Sequence, residues 1–180
     1  LVDVCSNQTN VTIDPSYTGT VSYADFSYII ADATQDTGYY SDVYCLASDN
    51  CKVVYWDQSP DADLHFMNCN DVTCRSAEYT VVDSEGRVGE FPSIHCFADD
   101  DCRISYVRYD TGELKFARCH NADCSDVTIS TITSDAHVNS HSSLYCLSSD
   151  NCKIAFWDAH NSDLYFADVI ILTVANMIFL

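Results

Sequence analysis

The sequence predicts an all-β fold, built from a four-stranded antiparallel unit that recurs about every fifty residues and is stapled by disulfides. Three observations predict it. Paired cysteines return at a fixed interval. Cys45/Cys51, Cys96/Cys102 and Cys146/Cys152 form one series and Cys69/Cys74 and Cys119/Cys124 another, with equivalents 50 or 51 residues apart. Short runs rich in Val, Ile, Tyr and Phe are split by clusters of Asp, Asn, Ser and Gly, the grammar of strands and tight turns. Within the runs, apolar residues fall at every second position or fill the run, as sheets covered on one or both faces require.

Aligned on cysteines, the units read SDVYCLASDNCKVVYWD, PSIHCFADDDCRISYVR and SSLYCLSSDNCKIAFWD, then DADLHFMNCNDVTC, TGELKFARCHNADC and NSDLYFADVIILTV. In the first unit the strands fall at roughly 41–46, 51–57, 63–69 and 77–83. The first two flank the turn Leu46–Asn50 and form a hairpin. The second is apolar on both faces through Val53, Val54, Tyr55 and Trp56, so cover is expected on both sides. The third alternates, with Leu64 and Phe66 facing one way and His65 and Met67 the other; Leu114/Phe116 and Leu164/Phe166 repeat this. Tyr28–Asp32 lies 51 residues before Tyr79–Asp83 and reads as the tail of an earlier, partly decayed unit. The chain then divides into an N-terminal segment with that partial repeat (1–40), a first repeat (41–91), a second (92–141) and a third with a divergent apolar C-terminal segment (142–180). Four short strands at this period is the blade pattern of a β-propeller.

Cysteines that flank a turn face each other, so the expected disulfides are local: Cys45–Cys51, Cys69–Cys74, Cys96–Cys102, Cys119–Cys124 and Cys146–Cys152. The third unit carries Val169 and Val174 where the second has Cys119 and Cys124, so both partners vanish together. Each small loop contributes about 2 kcal/mol on chain-entropy grounds. A zinc site would need short spacers and a second converging pair, which this spacing does not supply. Cys5 has no equivalent and leaves the count at eleven, which marks it for an intermolecular bond or a free thiol.

Ile104-Ser105-Tyr106, Asp110-Thr111-Gly112-Glu113-Leu114-Lys115-Phe116-Ala117 and Cys119…Cys124 resemble the "ISYYD…GDLKYA…C" repeat of secreted, propeller-like bacterial proteins. The resemblance covers about residues 26–169. It implies a propeller-like fold and no particular substrate. This chain departs from the repeat by placing a Cys-x5-Cys pair where a plain Asp/Gly/Asn turn is usual.

Eleven cysteines point to an oxidising, extracellular or cell-surface setting. Asn7-Gln8-Thr9 and Asn10-Val11-Thr12 are adjacent glycosylation sequons, so Asn7 and Asn10 are the expected glycan sites. The chain opens at Leu1 with no charged stretch before an apolar run, and the expectation is a segment whose leader has been removed. With 27 acidic against 8 basic residues the formal charge is −19, which argues against nucleic acid and anionic lipid as partners. The apolar stretch Val169–Leu180 is too short to span a bilayer by itself.

Among candidate sites, Trp56-Asp57 and Trp157-Asp158 end equivalent strands, where an exposed indole beside a carboxylate could stack on a sugar; the competing reading is that the indoles pack as core. The acidic turns Ser48-Asp49-Asn50, Asp99-Asp100-Asp101 and Ser149-Asp150-Asn151 offer oxygens for calcium, although they lack the EF-hand pattern and also satisfy ordinary turn chemistry. His137 and His141 read as solvent-exposed loop residues. Neither a nucleophile elbow, a phosphate loop nor an HExxH stretch is present. No other cofactor is implied. The resulting expectation is a non-enzymatic structural protein that assembles with copies of itself into a fibre or larger propeller-like object. A carbohydrate-binding module is the alternative, and a glycoside hydrolase the third reading.

Overall fold

The computed structural model describes residues 28–33, 36–58, 61–97, 101–134, 138 and 140–171. They form eleven strands in three antiparallel sheets. The first sheet runs in the order β1 (Thr37–Ala47), β2 (Asn50–Asp57), β3 (Leu64–Cys69) and β4 (Ala77–Asp83). The second repeats it with β5 (Val88–Cys96), β6 (Cys102–Arg108), β7 (Glu113–Cys119) and β8 (Val127–Thr133). The third has three strands, β9 (Ser142–Ser148), β10 (Asn151–Asp158) and β11 (Asp163–Ile170), with β10 central.

Each sheet is a meander whose register follows the repeat. Cys45 stands opposite Cys51, Cys96 opposite Cys102 and Cys146 opposite Cys152, and the structure joins each pair. Cys69–Cys74 and Cys119–Cys124 close the turns after β3 and β7. Those turns need one left-handed residue, and Cys74 and Cys124 take it with φ of 51° and 56°. Asp71 organises the first of them by accepting hydrogen bonds from the Thr73 N–H and hydroxyl and the Ser76 N–H. These bonds hold its carboxyl at about 2.

β1 begins four residues before the expected start, and β5 begins at Val88, inside what the sequence assigned to the first repeat. The cause is an irregular register between Thr37 and Ser41 and between Val88 and Ser93, which hides the alternation that marks a strand. The glycines at these irregularities, Gly38 and Gly89, are equivalent and have φ of 79° and 98°. Residues 28–33, expected to be a strand tail, form no ladder among the described residues. They run over the first sheet, where Tyr55 donates to Asp32 (2.8 Å) and Tyr79 to the Ala31 carbonyl (2.6 Å).

The core lies between sheets. Each sheet has a leading face, turned to the sheet that follows it in sequence, and a trailing face turned to the sheet before. Val54, Leu64 and Phe66 on the leading face of the first sheet pack with Ile104, Tyr106 and Ala117 on the trailing face of the second. Val107, Leu114 and Phe116 pack in the same way with Leu144, Ile154 and Phe156 of the third. β6 is therefore covered by a sheet on both sides, as its unbroken apolar run requires, whereas β2 has the second sheet on one face and residues 28–33 against part of the other.

Polar links repeat across these joints. The Asp42 carboxylate on β1 accepts from the Ser93 hydroxyl (3.1 Å) and the Ile94 N–H (2.9 Å) on β5. Ser93 in turn accepts from the Leu144 N–H on β9 (3.2 Å). Asp83, at the end of β4, accepts from Tyr106 (2.7 Å) and Lys115 (2.9 Å) of the second sheet. Burial alone would raise that carboxyl, but the bonds from Lys115 and Tyr106 outweigh it and hold it below the ordinary carboxylate range. Buried Arg103 donates to the carbonyl of Ser149 and pairs with Asp101, tying the second sheet to the third.

Candidate functional site

The repeat permits a direct comparison of equivalent positions, and the two ends of the molecule stand out. Leu64, Leu114 and Leu164 occupy the same place on three leading faces. The first two are 0% exposed and Leu164 is 80% exposed. Phe66 and Phe116 are buried where Phe166 is exposed. On the trailing faces the pattern reverses. Val43 is 57% exposed, while its equivalents Ile94 and Leu144 are 4% and 7%. Among the described residues, the first and third sheets thus each present one face whose equivalents are buried between sheets.

The two faces differ in form. That of the third sheet is an apolar patch of Trp157, Leu164 and Phe166, with Tyr145 and Leu147 also exposed on β9. That of the first sheet is a groove of about 270 Å³, lined by Ile30, Asp32, Gly38, Val53, Tyr55 and Met67. A patch of clustered large apolar side chains facing water is the mark of an interaction surface.

A second feature lies where the first strands of the three sheets meet. Tyr40, Phe91 and His141 are equivalent residues, and their rings follow one another in tilted contact with centroids 4.2 and 4.9 Å apart. Tyr44, His95 and Tyr145 form a parallel layer at 4.8 and 5.1 Å. β1 lies beside β5 and β5 beside β9, which brings these equivalent side chains together. Burial lowers the His95 imidazole below its ordinary value. Tyr39, Tyr40, Ser41, Phe91, Pro92 and His141 border a second, shallow cavity of about 280 Å³ beside these rings.

The tryptophans named by the sequence part ways. Trp56 is 1% exposed and stacks on Tyr40, with the Arg87 guanidinium over its ring, so its face cannot meet a sugar. The reading of Trp56 as a stacking platform is corrected accordingly. Trp157 is 42% exposed and belongs to the apolar patch of the third sheet. Arg87 also lies over Tyr109 and pairs with buried Glu90 at 2.6 Å. That cluster was not legible in the sequence, because the unequal spacing around β5 separates its members.

His141 is exposed and lies just before β9, as expected of a loop residue, with its ring 4.9 Å from that of Phe91. Among the described residues, no group of three or more His, Cys, Asp or Glu is placed to hold a metal ion. No described helix is long and apolar enough to cross a membrane. Cys5, Asn7, Asn10, His137, Asp99, Asp100 and Val174 lie outside the described residues. The two open sheet faces are therefore the surfaces on which a functional reading can be built, and neither the protein-family models nor the curated proteins offer a match to set beside them.

Proposed function

We propose that this is an extracellular, disulfide-stapled structural repeat protein, propeller-like in architecture, that assembles with copies of itself through its two open sheet faces. One observation carries the reading. Positions buried at both joints between sheets, such as Leu64 and Leu114, are exposed on the third sheet as Leu164, with the same residue type retained. A surface that had only to meet water would be expected to carry polar side chains there. The convergence of Tyr40, Phe91 and His141 supports a turning, propeller-like arrangement of units over a flat stack.

A structural role also accounts for the carboxylates. Asp42, Asp71 and Asp83 are each engaged in holding a joint or a turn. A carbohydrate-binding role would now rest on Trp157 alone of the two tryptophans.

Sedimentation of the intact chain across a concentration series, at high ionic strength to screen the charge of −19, tests the proposal. Multimers are expected, and Leu164→Asp should reduce them to monomer with unchanged circular dichroism. An intact chain that stays monomeric at high concentration and high salt overturns it.

A further inference from the structure

Resting on that reading of self-assembly, we infer that the contact between copies is head-to-tail and has a fixed register. The leading face of the third sheet receives the trailing face of the next copy's first sheet, with Leu164 against Gly38 and Ser143 against the Val43 N–H.

The first joint supplies the rule for the Leu–Gly contact, and both joints supply it for the polar link; the equivalent of Gly89 at the second joint is Asn139, which lies outside the described residues. At the first joint Gly89 lies against the backbone of Leu64, so closely that a Cβ on Gly89 would stand 2.7 Å from the Leu64 Cα. Gly38 is the equivalent of Gly89. It has the same left-handed backbone, yet nothing lies within 4 Å of the place its Cβ would take. Leu164 is the equivalent of Leu64, and it is the exposed member of its series. One end therefore keeps the glycine with no neighbour, and the other keeps the neighbour with no glycine.

The polar links repeat the message. Asp42 accepts from the Ile94 N–H, and Ser93 from the Leu144 N–H. The next members of the two series are Ser143, which is exposed, and Val43, whose N–H bonds to the carboxylate of its own neighbour Asp42 at 2.9 Å. Docking the two faces brings the Ser143 hydroxyl to the Val43 N–H by the same geometry.

Residues 28–33 complete the match. Asp32 bonds Tyr55 as Asp83 bonds Tyr106, and the two pairs have the same spacing of 23 residues. Residues 28–33 thus lie on the first sheet where the fourth strand of a preceding sheet would lie. The third sheet has three strands among the described residues and ends on β11. In the docked pair, residues 28–33 of one copy come to the edge of β11 of the other and supply a fourth strand, an instance of strand addition to an open edge. In the register of β3 with β4, Leu64 stands opposite Asp83 and Phe66 opposite Thr80. The equivalent partners in the docked pair are Leu164 with Asp32 and Phe166 with Ile29. Because the two docking faces are different, each copy joined leaves one of each free. The contact runs on or closes into a ring; it does not stop at a symmetric dimer.

The test places a photoreactive benzoylphenylalanine at position 166 of the full chain and maps the adducts by mass spectrometry, beside sedimentation of Gly38→Ala. The expected adducts join position 166 of one copy to residues 28–55 of another. Gly38→Ala, whose new methyl meets nothing in the single chain, should weaken self-association by about tenfold or more, the effect of losing ~1.4 kcal/mol. Multimers whose adducts join position 166 to residues 163–170 of the partner would show leading face on leading face. They would overturn the register while leaving self-assembly standing. Adducts confined to the same chain, or unchanged association of Gly38→Ala, also overturn it. Absence of multimers removes the inference together with the reading beneath it.

Discussion

Gly89→Ala should be among the most destabilising small substitutions in this chain, and its magnitude follows from two separate terms. With φ at 98°, any L-residue at position 89 is strained, at a cost of about 1–2 kcal/mol. The added methyl would also lie 2.7 Å from the Leu64 Cα and 2.9 Å from its N and Cβ, and backbone cannot move aside as a side-chain tip can. The joint between the first two sheets must open, which overpacking data place at about 1–3 kcal/mol. The sum is ~2–5 kcal/mol. Gly38→Ala provides the control, because it carries the backbone term, with φ at 79°, and no contact term. It should cost the single chain only ~1–2 kcal/mol. Urea unfolding at low protein concentration, followed by far-ultraviolet circular dichroism, measures both. Equal losses at the two positions would show that Gly89 is kept for its backbone alone, and the close packing of the joint would lose its support.

The Asp83 carboxyl is held below its ordinary value by Lys115 and Tyr106, so its contribution is complete above the unfolded value near 4 and is lost as pH falls through the folded value. Acid titration of the wild type should show this loss below about pH 4. Asp83→Asn should be less stable at neutral pH, by about 3–5 kcal/mol for an orphaned buried Lys115, and should lack that acid step; an identical acid profile for both proteins would sink the assignment. Trp56→Ala should destabilise the single chain by about 3–5 kcal/mol, and Trp157→Ala by far less, as chemical denaturation of the pair will report. Non-reducing peptide mapping should recover Cys45–Cys51, Cys69–Cys74, Cys96–Cys102, Cys119–Cys124 and Cys146–Cys152, and bridges between sheets would contradict the structure.

The meander of each sheet was legible because its signals are local. Alternation at Leu64–Cys69 and the cysteines bracketing a five-residue turn need no knowledge of the rest of the chain. The irregular starts of β1 and β5 were not, since a left-handed glycine breaks the two-residue period by which a strand is read. The open faces could be expected only in outline. Leu64 and Leu164 are the same letter in the same frame, and only the packing of neighbouring sheets separates a buried side chain from an exposed one. Trp56 shows the same limit from the other side. Its sequence neighbours match those of Trp157, yet Tyr40 and Arg87 arrive from other strands to cover it.

Asp83 sits in one sheet and takes its donors from the next, and that placement decides where the chain can be cut and rejoined. A sheet excised at the loop after β4 carries away an aspartate without its lysine and strands a lysine without its aspartate. The heritable module is therefore out of phase with the visible one. Gene duplication or shuffling that respects the loops between sheets must bring in a unit already matched at both margins, whereas a crossover in the turn between β3 and β4, or between β7 and β8, passes on Asp83 together with Tyr106 and Lys115. Lineages that gain or lose units by recombination are expected to show their seams between the third and fourth strands of a sheet, and a laboratory chimera joined there should fold where one joined at the loop between sheets fails.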